Sequence, residues 1–76
     1  MVNAVIIKYL TYNDEKFYED DKVRICMTKD YYIGHSDRKS VYIGRIGQIL
    51  DDGCFLYYDN IHMPLDTDDM ESIEHI

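Results

Sequence analysis

Residues 41–58 read VYIGRIGQILDDGCFLYY, and this stretch constrains the fold more than any other in the chain. Its β-branched, aliphatic and aromatic residues predict a strand, a turn at Asp52-Gly53 and a second, antiparallel strand. The first arm, residues 41–50, is too long to stay flat in a small sheet. Gly44 and Gly47 are where it can bend or bulge, because a strand glycine has no side chain to resist close approach. A hairpin bent in this way predicts the centre of a small β-barrel.

The flanking segments follow the same pattern. Residues 2–12 alternate as a strand, with Val5, Ile7 and Tyr9 on one face and Ala4, Ile6 and Lys8 on the other. Asn13-Asp14-Glu15 is a turn signal, and residues 16–18 offer a brief partner strand. Residues 22–28 predict the next strand, with Val23, Ile25 and Met27 inward and Lys22, Arg24 and Thr28 outward. Residues 29–40, KDYYIGHSDRKS, form the longest connection, in which Gly34 permits a reversal and Ser36-Asp37 continue the turn. Asp59-Asn60 make another turn before a short strand over residues 61–65. Pro64 confines that strand to an edge, or itself to a strand end, because it has no amide proton to donate. Residues 67–70 predict one short helical turn, and residues 72–76 a closing strand with Ile73 inward. The expected class is all-β: five to six short antiparallel strands, with the helical turn before the last.

Seventy-six residues make one domain, 1–76. A chain this short buries only about 60% of its unfolded surface, so the core is thin and leaves no room for a deep substrate pocket. The hydrophobic fraction of 46% and aromatic fraction of 13% are those of a folded domain. Eight tyrosines stand against two phenylalanines and no tryptophan. Each tyrosine hydroxyl needs a partner or water, so some rings are expected half-exposed on strand faces or at a contact surface. No basic leader precedes the apolar start, and no run approaches the roughly 20 apolar residues of a membrane span. A cytoplasmic protein with no membrane partner is the expectation. Cys26 and Cys54 show no CxxC spacing and lie in apolar strand patterns. Buried reduced thiols are the ordinary reading, and a bridge between neighbouring strands is the alternative.

The net charge of −7 conceals a sorting along the chain. All eight basic residues occur by Arg45, alongside seven acidic ones in the first fifty positions, a net of +1. From Asp51 onward there are eight acidic residues and no basic one, a net of −8. A solvated acidic surface that aids solubility explains this, and so does an acidic face for a basic partner. A nucleic-acid duplex approaching the acidic half would be repelled.

Asp21-Lys22-Val23-Arg24-Ile25 resembles the opening strand of KOW and broader SH3-like (Tudor- and Sm-like) small barrels. Residues 42–49, YIGRIGQI, resemble the KOW core, in which glycines alternate with aliphatics on a bent strand. Residues 70–73 resemble the short turn and closing strand of an SH3-like barrel. The likeness covers about half of the chain. Residues 1–20 have no counterpart, Asp20 stands where a glycine often precedes the first strand, and the aromatic signature and tryptophan of proline-binding SH3 domains are absent. The resemblance implies a small SH3-like barrel, and binding of RNA or of transcription and translation proteins rather than catalysis.

Catalytic residues and cofactors are not expected. His35, His62 and His75 are scattered, and a Cys54–His62 pair across neighbouring strands lacks the third group that orients a nucleophile's base. His62, between Ile61 and Met63, is expected to face outward. Asp66-Thr67-Asp68-Asp69-Met70-Glu71 is rich in carboxylates but lacks the glycine and spacing of a calcium loop, and helix-start capping explains it, so no metal is expected. Gly44-Arg45-Ile46-Gly47 has the letters of the GXXG loop that clamps nucleic acid between helices, but it lies in a strand and is read as a bend.

Three functions compete on these residues. The first is a non-catalytic module that docks on a protein, with Tyr31, Tyr32, His35, Tyr57, Asp66, Asp68 and Asp69 as contacts and the acidic half steering a basic partner. Ordinary barrel packing is the plainer use of those tyrosines. Tyr57 and Tyr58 are adjacent, so one belongs to the core and one to the outside, and a cage for a methylated cation is a further use of an outward cluster. The second is RNA binding through Arg24, Lys29, Arg38, Lys39 and Arg45, a dispersed set that also reads as a solvated surface. The third is a small acidic inhibitor of the kind phages and mobile elements carry, imitating nucleic acid with the carboxylates after Asp51. Unpaired sheet edges add self-association to the first reading.

Overall fold

The computed structural model describes residues 8–76. Strand β1 (Leu10–Tyr12) turns back into β2 (Glu15–Phe17), and β3 (Lys22–Met27) follows. A single helical turn, α1 (Lys29–Tyr32), opens the long connection to β4 (Val41–Ile49). Strands β5 (Gly53–Tyr58) and β6 (Ile61–Asp66) continue the meander, a 3-10 turn spans Thr67–Asp69, and β7 (Met70–His75) ends it. The class is all-β and antiparallel throughout. The short helical turn stands before the last strand, as its sequence predicts.

Five strands form one sheet in the order β6-β5-β4-β3-β7, while β1 and β2 form a separate two-stranded hairpin. The expected five or six strands are therefore five in the sheet plus two in the hairpin. Strands β6 and β7 are the sheet's edges and are not paired with each other, so the hydrogen-bonded ladder is open. Pro64 lies on the edge strand β6, opposite Phe55, as a residue without an amide proton must. Of the strand expected over residues 2–12, only Leu10–Tyr12 is seen, and the facing of residues 4–7 lies outside the described residues.

Two turns show why the hairpins close where they do. Asn13 and Asp14 have φ of 52° and 65°, and Asp59 and Asn60 have φ of 50° and 63°. Paired left-handed residues give the primed turn whose twist matches the flanking strands, and Asn and Asp tolerate it best after glycine. The β4–β5 turn differs from its expected form. Its tip is Asp51-Asp52, and the Leu50 amide donates to the Gly53 carbonyl at 2.8 Å. Gly53 is buried at the start of β5, where a side chain would run into the Leu65 carbonyl of β6. The glycine serves strand approach there, not the turn.

Alternation puts Val23, Ile25 and Met27 of β3, Ile46 and Ile49 of β4, Cys54 and Leu56 of β5, Leu65 of β6 and Ile73 of β7 into one core. Phe17 enters it from the hairpin and is fully buried. Burying a side chain of that size contributes about 2–3 kcal/mol, so Phe17 is the main anchor of β1–β2 on the sheet. The β4 register shifts between Ile46 and Ile49 against β5, so the long strand bulges around Gly47. This bulge lets Val41–Ile49 serve both β3 and β5 while bending over the core.

Candidate functional site

The sheet's outer face follows from the pairing register. Residues opposite one another share a face. His62 of β6 lies opposite Tyr57 of β5, Tyr57 opposite Arg45 of β4, and Arg45 opposite Lys22 of β3. The next outward row joins Ile43, Arg24 and Glu74, and the one beyond it joins Val41, Cys26 and Ser72. Phe55 and Pro64 extend the face on the β6 side.

These rows build an aromatic and aliphatic surface with cations along one flank. The Tyr57 and His62 rings stack in parallel, centroids 4.4 Å apart at 6°, and the Phe55 ring lies 4.5 Å from His62. Tyr57 keeps 47% and Ile43 49% of their surface exposed, and Val41 is also exposed. Arg24 donates to Glu74 at 2.8 Å and is locally neutralised. No described carboxylate bonds Lys22 or Arg45, so these two carry the face's positive charge. His62 faces outward as its alternation predicts, and Tyr57 and Tyr58 divide as expected, Tyr57 outside and Tyr58 half-buried.

The long connection is placed differently from its sequence expectation. Tyr31 is buried, not an outward ring, because α1 turns it into the core beside Tyr42. Their hydroxyls are 3.1 Å apart, and the Lys39 amide donates to the Tyr42 hydroxyl at 3.0 Å. Burial, then the bond to Tyr42, pushes the Tyr31 hydroxyl well above the usual tyrosine range. Arg38 donates to the Tyr31 carbonyl at 2.9 Å and lies over its ring at 4.7 Å. Lys39 stands 5.2 Å over the Tyr58 ring. Arg38 and Lys39 thus fasten the connection to the sheet. Tyr32 is half-buried, and Lys29 and His35 are exposed apart from the Tyr57 row.

The carboxylates gather at the β4–β5 turn and the 3-10 turn. Thr67 donates both its amide and its hydroxyl to the Asp52 carbonyl, at 2.8 and 3.1 Å. Asp66 and Asp68 are exposed there, and Asp69 is half-buried with its carbonyl accepting the Thr28 amide. Lys8 bonds Asp51 at 2.8 Å and holds its carboxyl below the usual range. Among the described residues no group of three or more His, Cys, Asp or Glu side chains is placed to hold a metal ion. Cys26 and Cys54 are free, Cys26 on the outer face and Cys54 in the core, where burial pushes its thiol up to about 11. The alternative of a bridge between them is not realised.

Of the residues singled out in the sequence, the structure brings together Tyr57, Arg45 and Arg24, and adds Lys22, Val41, Ile43, Phe55 and His62. Only the register could have disclosed that set. No described helix is long and apolar enough to cross a membrane. No protein-family model, curated protein or solved structure matches the chain.

Proposed function

We propose that the chain is a non-catalytic binding module on an SH3-like small-barrel scaffold, and that it docks on a protein through the outer face of the sheet. The scaffold reading rests on the strand order β6-β5-β4-β3-β7 with a 3-10 turn before β7. The docking reading rests on one observation: Tyr57, stacked on His62, lies exposed at the centre of a face that also exposes Val41 and Ile43. Exposed aromatic and aliphatic side chains beside an arginine are the composition of interface hot spots. Asp66 lies on the same face beyond Pro64, so the acidic turn region adjoins the apolar centre and steers a partner with a basic rim.

The test compares the chain with Tyr57→Ala and Ile43→Ser as baits in the native host. Both side chains point outward, and each substitution should cost no more than about 1 kcal/mol. A captured protein retained by the chain and lost by both variants supports docking here. Equal capture by all three refutes it. Tyr31→Ala cannot serve, because it removes a buried ring.

A second reading, single-stranded RNA, is favoured by the Tyr57–His62 stack beside Arg45 and Lys22. Stacking platforms flanked by cations take bases sequence-tolerantly. It predicts a salt-sensitive affinity for mixed RNA that falls when Arg45 and Lys22 are neutralised, and absence of binding at low salt removes it.

A further inference from the structure

The β1–β2 hairpin and the far end of β7 meet at one histidine. The His75 ring stacks on Phe17 of β2, centroids 4.3 Å apart at 25°. Its Nδ1 lies 3.1 Å from Glu15 Oε2 of β2, and its Nε2 lies 3.3 Å from Asp21 Oδ2, just ahead of β3. Asp21 Oδ2 also accepts the Tyr18 amide at 2.8 Å, which closes the segment linking β2 to β3.

The geometry carries a protonation requirement. Both carboxylate oxygens are acceptors, so both ring nitrogens must donate. Only the imidazolium has two N–H groups, and a neutral ring would set one lone pair against a carboxylate. We propose that His75 is a proton-operated clasp: as imidazolium it holds Glu15 and Asp21 together and fastens the β1–β2 hairpin to β7, and its deprotonation loosens the hairpin.

The surroundings leave these two carboxylates as the charges facing the ring. On β7, Glu74 points to the opposite face and is engaged by Arg24. On β3, Lys22 approaches through its carbonyl, which accepts the Ile76 amide, and the residue opposite His75 is the apolar Val23. On β2, Lys16 stands over the Tyr9 ring. The bonds to Glu15 and then Asp21 raise the His75 pKa above the ordinary histidine value. A raised value makes the clasp complete below the unfolded pKa and lost as pH climbs through the folded one. Loosening acts on a cleft of about 260 Å³ between the two elements, lined by Tyr9, Leu10 and Tyr12 on one side and Met70 and Ile73 on the other.

The test is amide hydrogen exchange on the intact chain, with rates corrected for intrinsic pH dependence, at about pH 5.5 and about pH 8.5, either side of histidine titration. A proton NMR titration of His75 accompanies it. The clasp predicts that the ladder amides of the hairpin, those of Tyr12 and Glu15 beside the turn and of Leu10 and Phe17, open about two- to five-fold more at the higher pH, the range of a surface ion pair. The amides of β4 and β5 serve as the unchanged reference. His75→Gln should remove this pH dependence. Glu15→Gln should reduce it, and it supplies the test if His75→Gln fails to fold. Equal hairpin opening at both pH values, a pH dependence that survives in both variants, or His75 titrating at or below the ordinary histidine value overturns the proposal.

Discussion

Gly44→Ala and Gly47→Ala add the same methyl group to the same bent strand, and the structure separates their costs. Neither glycine has a positive φ, so alanine meets no backbone strain at either position. At Gly44 the new carbon lands on the backbone carbonyl oxygen of Tyr57, with the Leu56 side chain 3.4 Å away. That carbonyl belongs to the β4–β5 ladder and cannot retreat without opening the pairing of Arg45 with Tyr57. At Gly47 the nearest atoms are His62 Nε2 at 3.0 Å and Tyr57 Cε2 at 3.1 Å, both on exposed side chains, followed by the Phe55 carbonyl at 3.2 Å. Overpacking against fixed atoms costs about 1–3 kcal/mol, and replacing glycine returns about 0.4–1 kcal/mol by restricting the unfolded chain. Gly44→Ala should therefore lose about 1–2 kcal/mol, and at ~4–8 °C per kcal/mol its melting temperature falls by about 4–16 °C. Gly47→Ala should stay within about 1 kcal/mol, because the two rings can tilt away. Thermal and urea unfolding of the chain and both variants measure the difference. A Gly44→Ala variant melting within about 2 °C of the parent, or a Gly47→Ala variant melting below the Gly44→Ala one, would show the reasoning about strand approach to be mistaken.

Two further outcomes follow from the core. Tyr31→Phe deletes the hydroxyl bonded to Tyr42 and leaves the Tyr42 oxygen with the Lys39 amide, so it should cost about 1 kcal/mol, read from the urea midpoint at unchanged slope. The Cys54 thiol, held near 11 by burial, should resist alkylation at about pH 8 in the folded chain while Cys26 reacts first, and labelling followed by mass spectrometry checks the order. Modification of Cys54 ahead of Cys26 would contradict its burial.

The parts legible in the sequence are those set by local chemistry. Asn13-Asp14 and Asp59-Asn60 announce their turns because few residues other than glycine tolerate φ above zero. Val23, Ile25, Met27 and Ile73 announce an inward face because a strand has period two. Pro64 announces an edge. What stayed hidden depends on contacts between distant residues. Residues 29–33 carry no helix-length periodicity, so a four-residue turn that buries Tyr31 was indistinguishable from a polar loop with exposed rings. His75 meets Glu15 across 60 positions, a pairing no local pattern encodes. The outer row His62–Tyr57–Arg45–Lys22 depends on a bulge between Ile46 and Ile49 that fixes which β4 residue faces β5. Shift that register by one and Arg45 would turn inward.

The same register bears on how charge and function are related in this chain. Read along the sequence, the acidic half begins at Asp51 and includes β5, β6 and β7. Read across the sheet, those strands lie beside β4 and β3, which bring Arg45, Lys22 and Arg24 from the basic half onto the same face. Folding thus undoes the linear sorting on the outer sheet and leaves Asp51, Asp52 and Asp68 at the turns, with Asp66 at the margin of the face. A protein of net charge −7 thereby presents one broad area where apolar contact is flanked by positive charge. Carboxylates elsewhere on the surface repel other acidic molecules, so this area is the least repulsive to them. The charge sorting in the sequence is in this sense a by-product of strand order, and the outer face of β3, β4, β5 and β6 is the surface on which the chain's apolar excess and its uncompensated cations coincide.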